Sequence, residues 1–306
     1  MSSNGASVVD AALRIAEENP GDLLAFVGPT ASGKTALAIE VAERIGGEII
    51  GADSVQVYRA FDIGSGKPSA DEMRRVRHYL VGVLEPMDPS VASAWAERAA
   101  QAVGEIRARG RTPIVCGGSF LWVKALVRGL APMPGASAEI RAHHRDLVDR
   151  AGRGALHDRL RGLDPAIATR LHPNDVVRVS RALEVLELTG RPMSAWQREH
   201  GFAETRFPTQ LVAIACTSET LTARISARAA HWLATGWIDE VEALLARGFG
   251  GARAMSSVGY AQVRSMLAGD LAREDLLPAI VRATRVFARR QRTWLNRERV
   301  TWLGLG

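Results

Sequence analysis

The chain has little to offer disulfide or metal chemistry. It holds two cysteines, Cys116 and Cys216, both inside apolar segments and without metal-ligand spacing, so both read as buried reduced thiols. No apolar run approaches the about 20 residues that cross a bilayer. Residues 1–20 lack a basic patch followed by an apolar stretch, so no secretory signal is expected. Internal repeats and low-complexity tracts are absent. Lysine is nearly so: of 39 basic residues only Lys34, Lys67 and Lys124 are lysines. That bias reads as genome composition, and it draws attention to the lysines that remain. The reading is a cytoplasmic, monomeric protein with no membrane segment. At 306 residues, 47% of them hydrophobic, it has length for two domains or for one with an insertion.

Positive charge is confined rather than spread. Residues 281–300 carry seven arginines against the single acid Glu298, which accounts for the whole net charge of +6. Basicity gathered in one helix-length segment implies an anionic surface meeting it. Arg282, Arg285, Arg289 and Arg292 recur at helical spacing and share one face. Val286, Phe287 and Trp294 suggest an apolar side for packing. The bland alternative is a solvated basic face.

Apolar runs at 23–27, 48–50, 113–116 and 210–215 read as strands, and helical periodicity fills 35–45, 92–109 and 119–128. Strands alternating with helices predict an α/β fold with a mostly parallel sheet flanked by helices. Between Pro132-Met133-Pro134-Gly135 and Pro208 the periodicity is helical throughout, and it is helical again from 220 to 299. The expected organisation is a flexible N-terminus over 1–22, a P-loop NTPase-like core of 23–130 and 208–300, and an all-helical insertion over 131–207.

Between the first strand and the first helix of that core lies Gly28-Pro29-Thr30-Ala31-Ser32-Gly33-Lys34-Thr35, which fits G-x-x-x-x-G-K-[ST] in the context the motif requires. Its glycines let backbone N–H groups turn around an anion, and the helix N-terminus adds partial positive charge. Lys34 supplies a point charge, and the Thr35 hydroxyl suits Mg²⁺. The loop names a polyphosphate or diphosphate, not a reaction. A phosphoryl-transferring kinase is the default rival, but such proteins place an acid after a later strand, and 113–116 runs instead into Gly117-Gly118. The second strand delivers Asp53, opposite the loop. That carboxylate suits metal binding or proton abstraction, and residue chemistry alone does not separate the two.

Further motifs narrow the choice. Residues 53–58 read DSVQVY, 62–68 DIGSGKP, 117–126 GGSFLWVKAL, 173–190 PNDVVRVSRALEVLELTG, 258–260 VGY and 289–294 RRQRTW. In order and content these resemble the tRNA dimethylallyltransferases, over roughly residues 23 to 295. The resemblance implies transfer of a dimethylallyl group from dimethylallyl diphosphate to the exocyclic amine (N6) of the adenosine 3′-adjacent to the anticodon. The acceptors would be tRNAs reading codons that start with U, with diphosphate released and Mg²⁺ as cofactor. It assigns Asp53 as general base, and Thr30, Lys34 and Thr35 to the leaving diphosphate and its metal. Ser119 would donate near the scissile oxygen and Arg228 would hold diphosphate. For the tRNA anticodon stem-loop it implies Asp53, Ser54, Val55, Gln56, Ser119, Arg141 and Val177, Arg178, Val179, Ser180, Arg181. To these the basic face adds Arg285 and Arg289. An enzyme prenylating free AMP or ADP is the alternative acceptor class. The insertion and the basic segment argue against it, because a nucleotide-sized acceptor needs neither.

The chain departs from the pattern in places. Arg77-His78-Tyr79 stands where Pro-His-His is usual, and Ser65-Gly66 stands where Thr-Ala is common. Phe120 replaces a small residue and is expected to narrow or reshape the prenyl pocket. Asp53 also suits capping of the turn that follows it, and Ser119 suits capping of the next helix. The histidines are scattered and read as surface or structural residues. Trp122, Trp196 and Trp232 read singly as core rather than as stacking platforms.

Overall fold

In the computed structural model, which describes residues 3–202 and 204–304, the apolar runs become a six-stranded, wholly parallel sheet. Its strands are β1 (Leu23–Val27), β2 (Gly47–Gly51), β3 (His78–Tyr79), β4 (Thr112–Gly117), β5 (Thr209–Ile214) and β6 (Thr301–Leu303), in the order β3-β2-β4-β1-β5-β6. The helices up to the end of β4's crossover are α1 (Ser3–Glu18), α2 (Lys34–Ile45), α3 (Ala70–Arg75), α4 (Ala92–Ala108) and α5 (Phe120–Arg128). A run of helices alone follows: α6 (Ala138–Ala151), α7 (Arg153–Leu163), α8 (Pro165–Ala168), α9 (Val176–Thr189) and α10 (Met193–His200). After β5 come α11 (Ser218–Ala234), α12 (Trp237–Ala246), α13 (Tyr260–Leu267) and α14 (Leu276–Leu295).

The chain forms two compact units, Met1–Val127 with Arg206–Gly306, and Arg128–Thr205. In the first, β1 is buried at all five positions, as a central parallel strand with helices on both faces must be. Leu24, Phe26, Ile49 and Ile114 pack against Leu37, Ile39 and Val41 of α2. A left-handed Gly46 stops that helix (φ 65°). The carboxyl ends of β1, β2 and β4 all reach the same edge, where ligands of open parallel sheets bind.

Three expectations change here. Most of the stretch 1–22, expected as a flexible N-terminus, is helical: α1 occupies Ser3–Glu18, and its Val9 and Ala12 are buried in the sheet's core cluster, while residues 1 and 2 lie outside the described residues. Their recurrence at helical spacing was the available signal. The edge strands β3 and β6 are two and three residues long, too short to read as periodic runs. On α14 the apolar side is not Val286, Phe287 and Trp294, which are exposed; the helix buries Leu276, Ile280, Thr284, Ala288, Gln291 and Leu295. The buried face follows the i, i+4 register closely, and two polar residues lie within it.

The second unit contains no strand among its described residues. Leu156, Leu160, Val179, Leu183 and Val185 form its core. Glu184 is fully buried there and accepts from Arg141 Nε (2.9 Å) and Nη2 (3.0 Å), from Arg181 Nη1 (2.6 Å) and from the Ser137 amide (2.7 Å). Burial raises the Glu184 carboxyl, but the hydrogen bonds from Arg141, Arg181 and Ser137 outweigh it and hold the group below its ordinary value.

Candidate active site

Several segments converge on one cavity of about 300 Å³ in the first unit. The phosphate loop follows β1, the segment beginning at Asp53 follows β2, Gly118-Ser119 follows β4, and α11 with α14 close the far side. Close approach at the ends of β2 and β4 requires glycine. A Cβ on Gly117 would lie 2.0 Å from the Ala52 carbonyl oxygen, and one on Gly118 would lie 2.3 Å from Gln291 Nε2.

The polar end holds Thr30, Lys34, Thr35, Asp53, Ser119 and Arg228. Lys34 donates to the Pro29 carbonyl (3.4 Å), and Arg228 Nη2 donates to Thr30 Oγ1 (2.5 Å), so both cations bond neutral oxygens. Burial lowers the Lys34 pKa against the opposing pull of Cys116 and Asp53. Burial likewise lowers Arg228 to about 10, with Asp53 opposing. Arg228 stays protonated at neutral pH, leaving half-buried positive charge in the cavity that an anion would relieve. The neighbouring Cys116 thiol is raised to about 11, chiefly by burial, so it is a neutral hydrogen-bonding partner of Thr35. Within the loop, Ala31 holds a left-handed φ of 64°, a conformation that L-residues adopt at a cost and that clusters at functional sites.

Asp53 Oδ1 accepts from the Val55 (2.9 Å) and Gln56 (3.2 Å) amides, so the residue does cap its turn. Both bonds go to Oδ1, and Oδ2 takes no part in them. Ser119 Oγ accepts from the Ser54 amide (3.0 Å) rather than from its own helix, and its hydroxyl hydrogen remains for donation. Ser54, Val55 and Gln56 also line the cavity. Gln56 Nε2 donates to the Ser65 (3.1 Å) and Gly66 (2.8 Å) carbonyls, tying this turn to the 62–68 loop. Lys67 closes that loop on the Tyr58 carbonyl (2.6 Å) and on Asp62.

Several contributors carried no advance assignment. Gln291, inside the RRQRTW motif, accepts from the Thr30 amide (2.9 Å) and donates to the Gly118 carbonyl (3.0 Å), bridging the phosphate loop to the end of β4. A lone amide among the arginines of this motif was its only sequence signal. Glu240 of α12 takes the amides of Asp62 (2.9 Å), Ile63 (2.7 Å) and Gly64 (3.3 Å) and the Tyr260 hydroxyl (2.6 Å). It thereby fixes the 62–68 loop, and VGY acquires a task. Burial and Glu240 push the Tyr260 phenol upward, so it remains a donor. The cavity's other wall is apolar, with Ile225, Ala229, Trp232, Trp237, Ile280 and Phe287.

Other assignments fare differently. Phe120 is not among the cavity-lining residues; it is buried beside Trp294, with ring centroids 6.5 Å apart. Trp122 is core, stacked on Trp95 at 5.1 Å, whereas Trp232 forms cavity wall. In the second unit, Val177 is 80% exposed and Arg178 pairs with Asp175. Val179 is fully buried in that unit's core, which removes its side chain from any RNA contact. Ser180 is buried, with its hydroxyl on His144 Nδ1 (2.8 Å), so it too supports the fold rather than a surface. Arg285 and Arg289 are exposed on α14. Beside them an open groove of about 460 Å³ is lined by Val258, Gln262, Arg282, Val286, Phe287 and Arg290, and it shares Phe287 and Val258 with the main cavity.

Among the described residues no group of three or more His, Cys, Asp or Glu side chains could hold a metal ion. The oxygens of Thr35 and Asp53 in one cavity still fit Mg²⁺, which commonly takes one or two protein ligands and completes its shell with phosphates and water. No described helix is long and apolar enough to cross a membrane.

Known proteins resemble this chain over most of its length. A tRNA dimethylallyltransferase of Sorangium cellulosum is 57% identical over 95% of this chain and 93% of its own length, and one of Geobacter metallireducens is 43% identical over 94% of each. The solved tRNA isopentenylpyrophosphate transferase of Bacillus halodurans superposes with a TM-score of 0.67 at 33% identity, covering 92% of this chain and 89% of that one. A eukaryotic dimethylallyltransferase acting on tRNA shares the fold, with a TM-score of 0.74 at 24% identity over 89% of this chain and 69% of its own. Residues 56–298 match the family described as IPP transferase. The chain belongs to the IPP transferase family.

Proposed function

We infer that this chain is a tRNA dimethylallyltransferase, moving a dimethylallyl group from dimethylallyl diphosphate to N6 of the adenosine 3′-adjacent to the anticodon in tRNAs reading codons that start with U. One observation carries the reading: Lys34 of the phosphate loop and Arg228 of α11 share a cavity with the Asp53 carboxylate and with an apolar wall. A kinase site needs the first of these features and has little use for the last.

The chemistry follows from the charges. The allylic C–O bond breaks, diphosphate leaves with its electron pair, and the new bond forms between N6 and the allylic carbon. Lys34, Arg228, the Thr30 hydroxyl and the loop amides stabilise the negative charge that develops on the leaving oxygens. The Ser119 hydroxyl donates near the scissile oxygen. Asp53 accepts the N6 proton through Oδ2, and such help is typically worth about 10²–10⁴-fold. The Thr35 hydroxyl would help hold Mg²⁺, which would supply Lewis-acid neutralisation of the leaving group. The target base must leave its stack, at a cost of a few kcal/mol that an unpaired loop lowers. Phosphates of the anticodon stem-loop meet Arg285 and Arg289 of α14. Val177, Arg178, Arg141 and Arg181 offer the second unit's contact. The last two are oriented by Glu184.

The test is a mass shift. The protein is incubated with Mg²⁺, dimethylallyl diphosphate and an unmodified anticodon stem-loop, and the RNA is weighed. One added prenyl unit on the loop adenosine is the expected result. Transfer to AMP or ADP but not to RNA would make this an adenylate prenyltransferase, and ATP consumption without transfer would make it a kinase. Asp53→Asn should keep the RNA dissociation constant within a few-fold and lose about 10²–10⁴ in kcat; near-normal turnover would remove Asp53 from its role as base.

A further inference from the structure

Trp232 lies one helical turn beyond Arg228 on α11, and the Arg228 guanidinium sits over its indole, 4.5 Å from the ring centroid. The indole therefore begins where the cationic end of the cavity stops. Trp237 braces it from behind, edge to face at 5.6 Å and 89°, and is itself 2% exposed. On the loop side stands Gly66, with φ +62°: a Cβ there would lie 2.9 Å from both Cη2 and Cζ2 of Trp232. A Cβ on Gly64 would lie 1.8 Å from Trp237 Nε1. The loop, itself held by Glu240, thus presses its bare backbone against the tryptophan pair. Glycine at 66 and the large indole are one arrangement, since Trp232 occupies space that a side chain at 66 would claim.

We propose that Trp232, seated against Gly66, is the specificity-determining wall that limits the prenyl donor to a single five-carbon unit. The proposal rests on reading the cavity as a prenyl diphosphate site. A donor held by its diphosphate on Lys34 and Arg228 extends its hydrocarbon along the apolar wall, and Trp232 is the first large surface past the cations. A second isoprene unit would have to displace an indole fixed on three sides by Arg228, Trp237 and Gly66. Trp237, the brace behind it, is buried, and packed interiors resist such displacement.

The experiment compares kcat/KM for dimethylallyl and geranyl diphosphate, with anticodon stem-loop RNA as acceptor, in the wild-type protein and in Trp232→Leu, Gly66→Ala and the double variant. Trp232→Leu should raise the geranyl-to-dimethylallyl ratio at least about tenfold, the low end of what one pocket difference commonly achieves. Gly66→Ala should drive the indole into the cavity and depress dimethylallyl transfer, and adding Trp232→Leu should recover part of that loss. The rescue separates a filled cavity from a damaged loop. Trp232→Phe serves if the leucine variant does not fold, with a smaller shift in the same direction. An unchanged donor ratio, a double variant no better than Gly66→Ala, or a raised KM for RNA with unchanged donor preference would each overturn the proposal, the last by making Trp232 a base-stacking group. The wild-type reaction with dimethylallyl diphosphate is the control for the underlying reading: no transfer there would sink both, whereas transfer with an unmoved ratio would sink only the wall.

Discussion

Replacing Gln291 by leucine removes a side chain that bridges the Thr30 amide of the phosphate loop to the Gly118 carbonyl after β4, while keeping its approximate volume. The Thr30 amide and the Gly118 carbonyl each lose their bond to it. A buried polar group left unsatisfied costs about 1–3 kcal/mol. Thr30 lines a cavity that solvent enters, which lowers its share, so the net loss should be about 2 kcal/mol. In a unit of this size that corresponds to roughly 4–8 °C in Tm. The catalytic loss should be larger than stability alone implies, because the loop that grips the leaving group is no longer held against the strand that carries Ser119. Misplacement by about 1 Å can cost on the order of 10²-fold. Urea unfolding and single-turnover prenyl transfer measure the two effects separately. The expected result is a fall of about 10² in kcat/KM for the donor, with RNA affinity within a few-fold. Activity within twofold of wild type in a variant destabilised as predicted would refute the bridge as a catalytic device and leave it a structural one.

Charge effects supply two further tests. Arg285→Gln with Arg289→Gln should weaken RNA binding and reduce the slope of log K against log salt by about 1.4–1.8 if both arginines meet phosphates; an unchanged slope would move the RNA surface elsewhere. In the second unit, Glu184 is held below its ordinary pKa by Arg141, Arg181 and Ser137, so its contribution to stability is complete above about pH 4.3 and lost as pH falls through the lowered value. Glu184→Gln should cost about 2 kcal/mol at neutral pH, below the about 3–5 kcal/mol of a fully buried broken pair because Arg141 remains 42% exposed, and should flatten the acid limb of a urea-midpoint profile. An acid limb as steep as wild type would show that other carboxylates carry it.

By itself the sequence determined the class of the protein and the chemistry at its polar end. Local rules were enough for that. A buried parallel strand is a continuous apolar run, a phosphate loop is eight consecutive residues between that run and a helix, and Asp53 follows the next strand directly. The resemblance carried by the remaining motifs then named the reaction class. What tertiary structure alone decided was everything set by distance in space rather than along the chain. The α1 helix, read as a flexible lead-in, proves to be core. Two strands of two and three residues exist only because the sheet's edges offer them partners. Val286, Phe287 and Trp294 looked like a packing face and are exposed, because α14 turns Gln291 and Thr284 inward instead. Val179 sits inside a motif expected to meet RNA and is buried, since one helix must face both its own core and its surface. Gln291, Glu240 and Trp232 act through partners more than 150 residues away, or through the space a glycine leaves, and neither kind of relation has a period or a spacing from which it could be read.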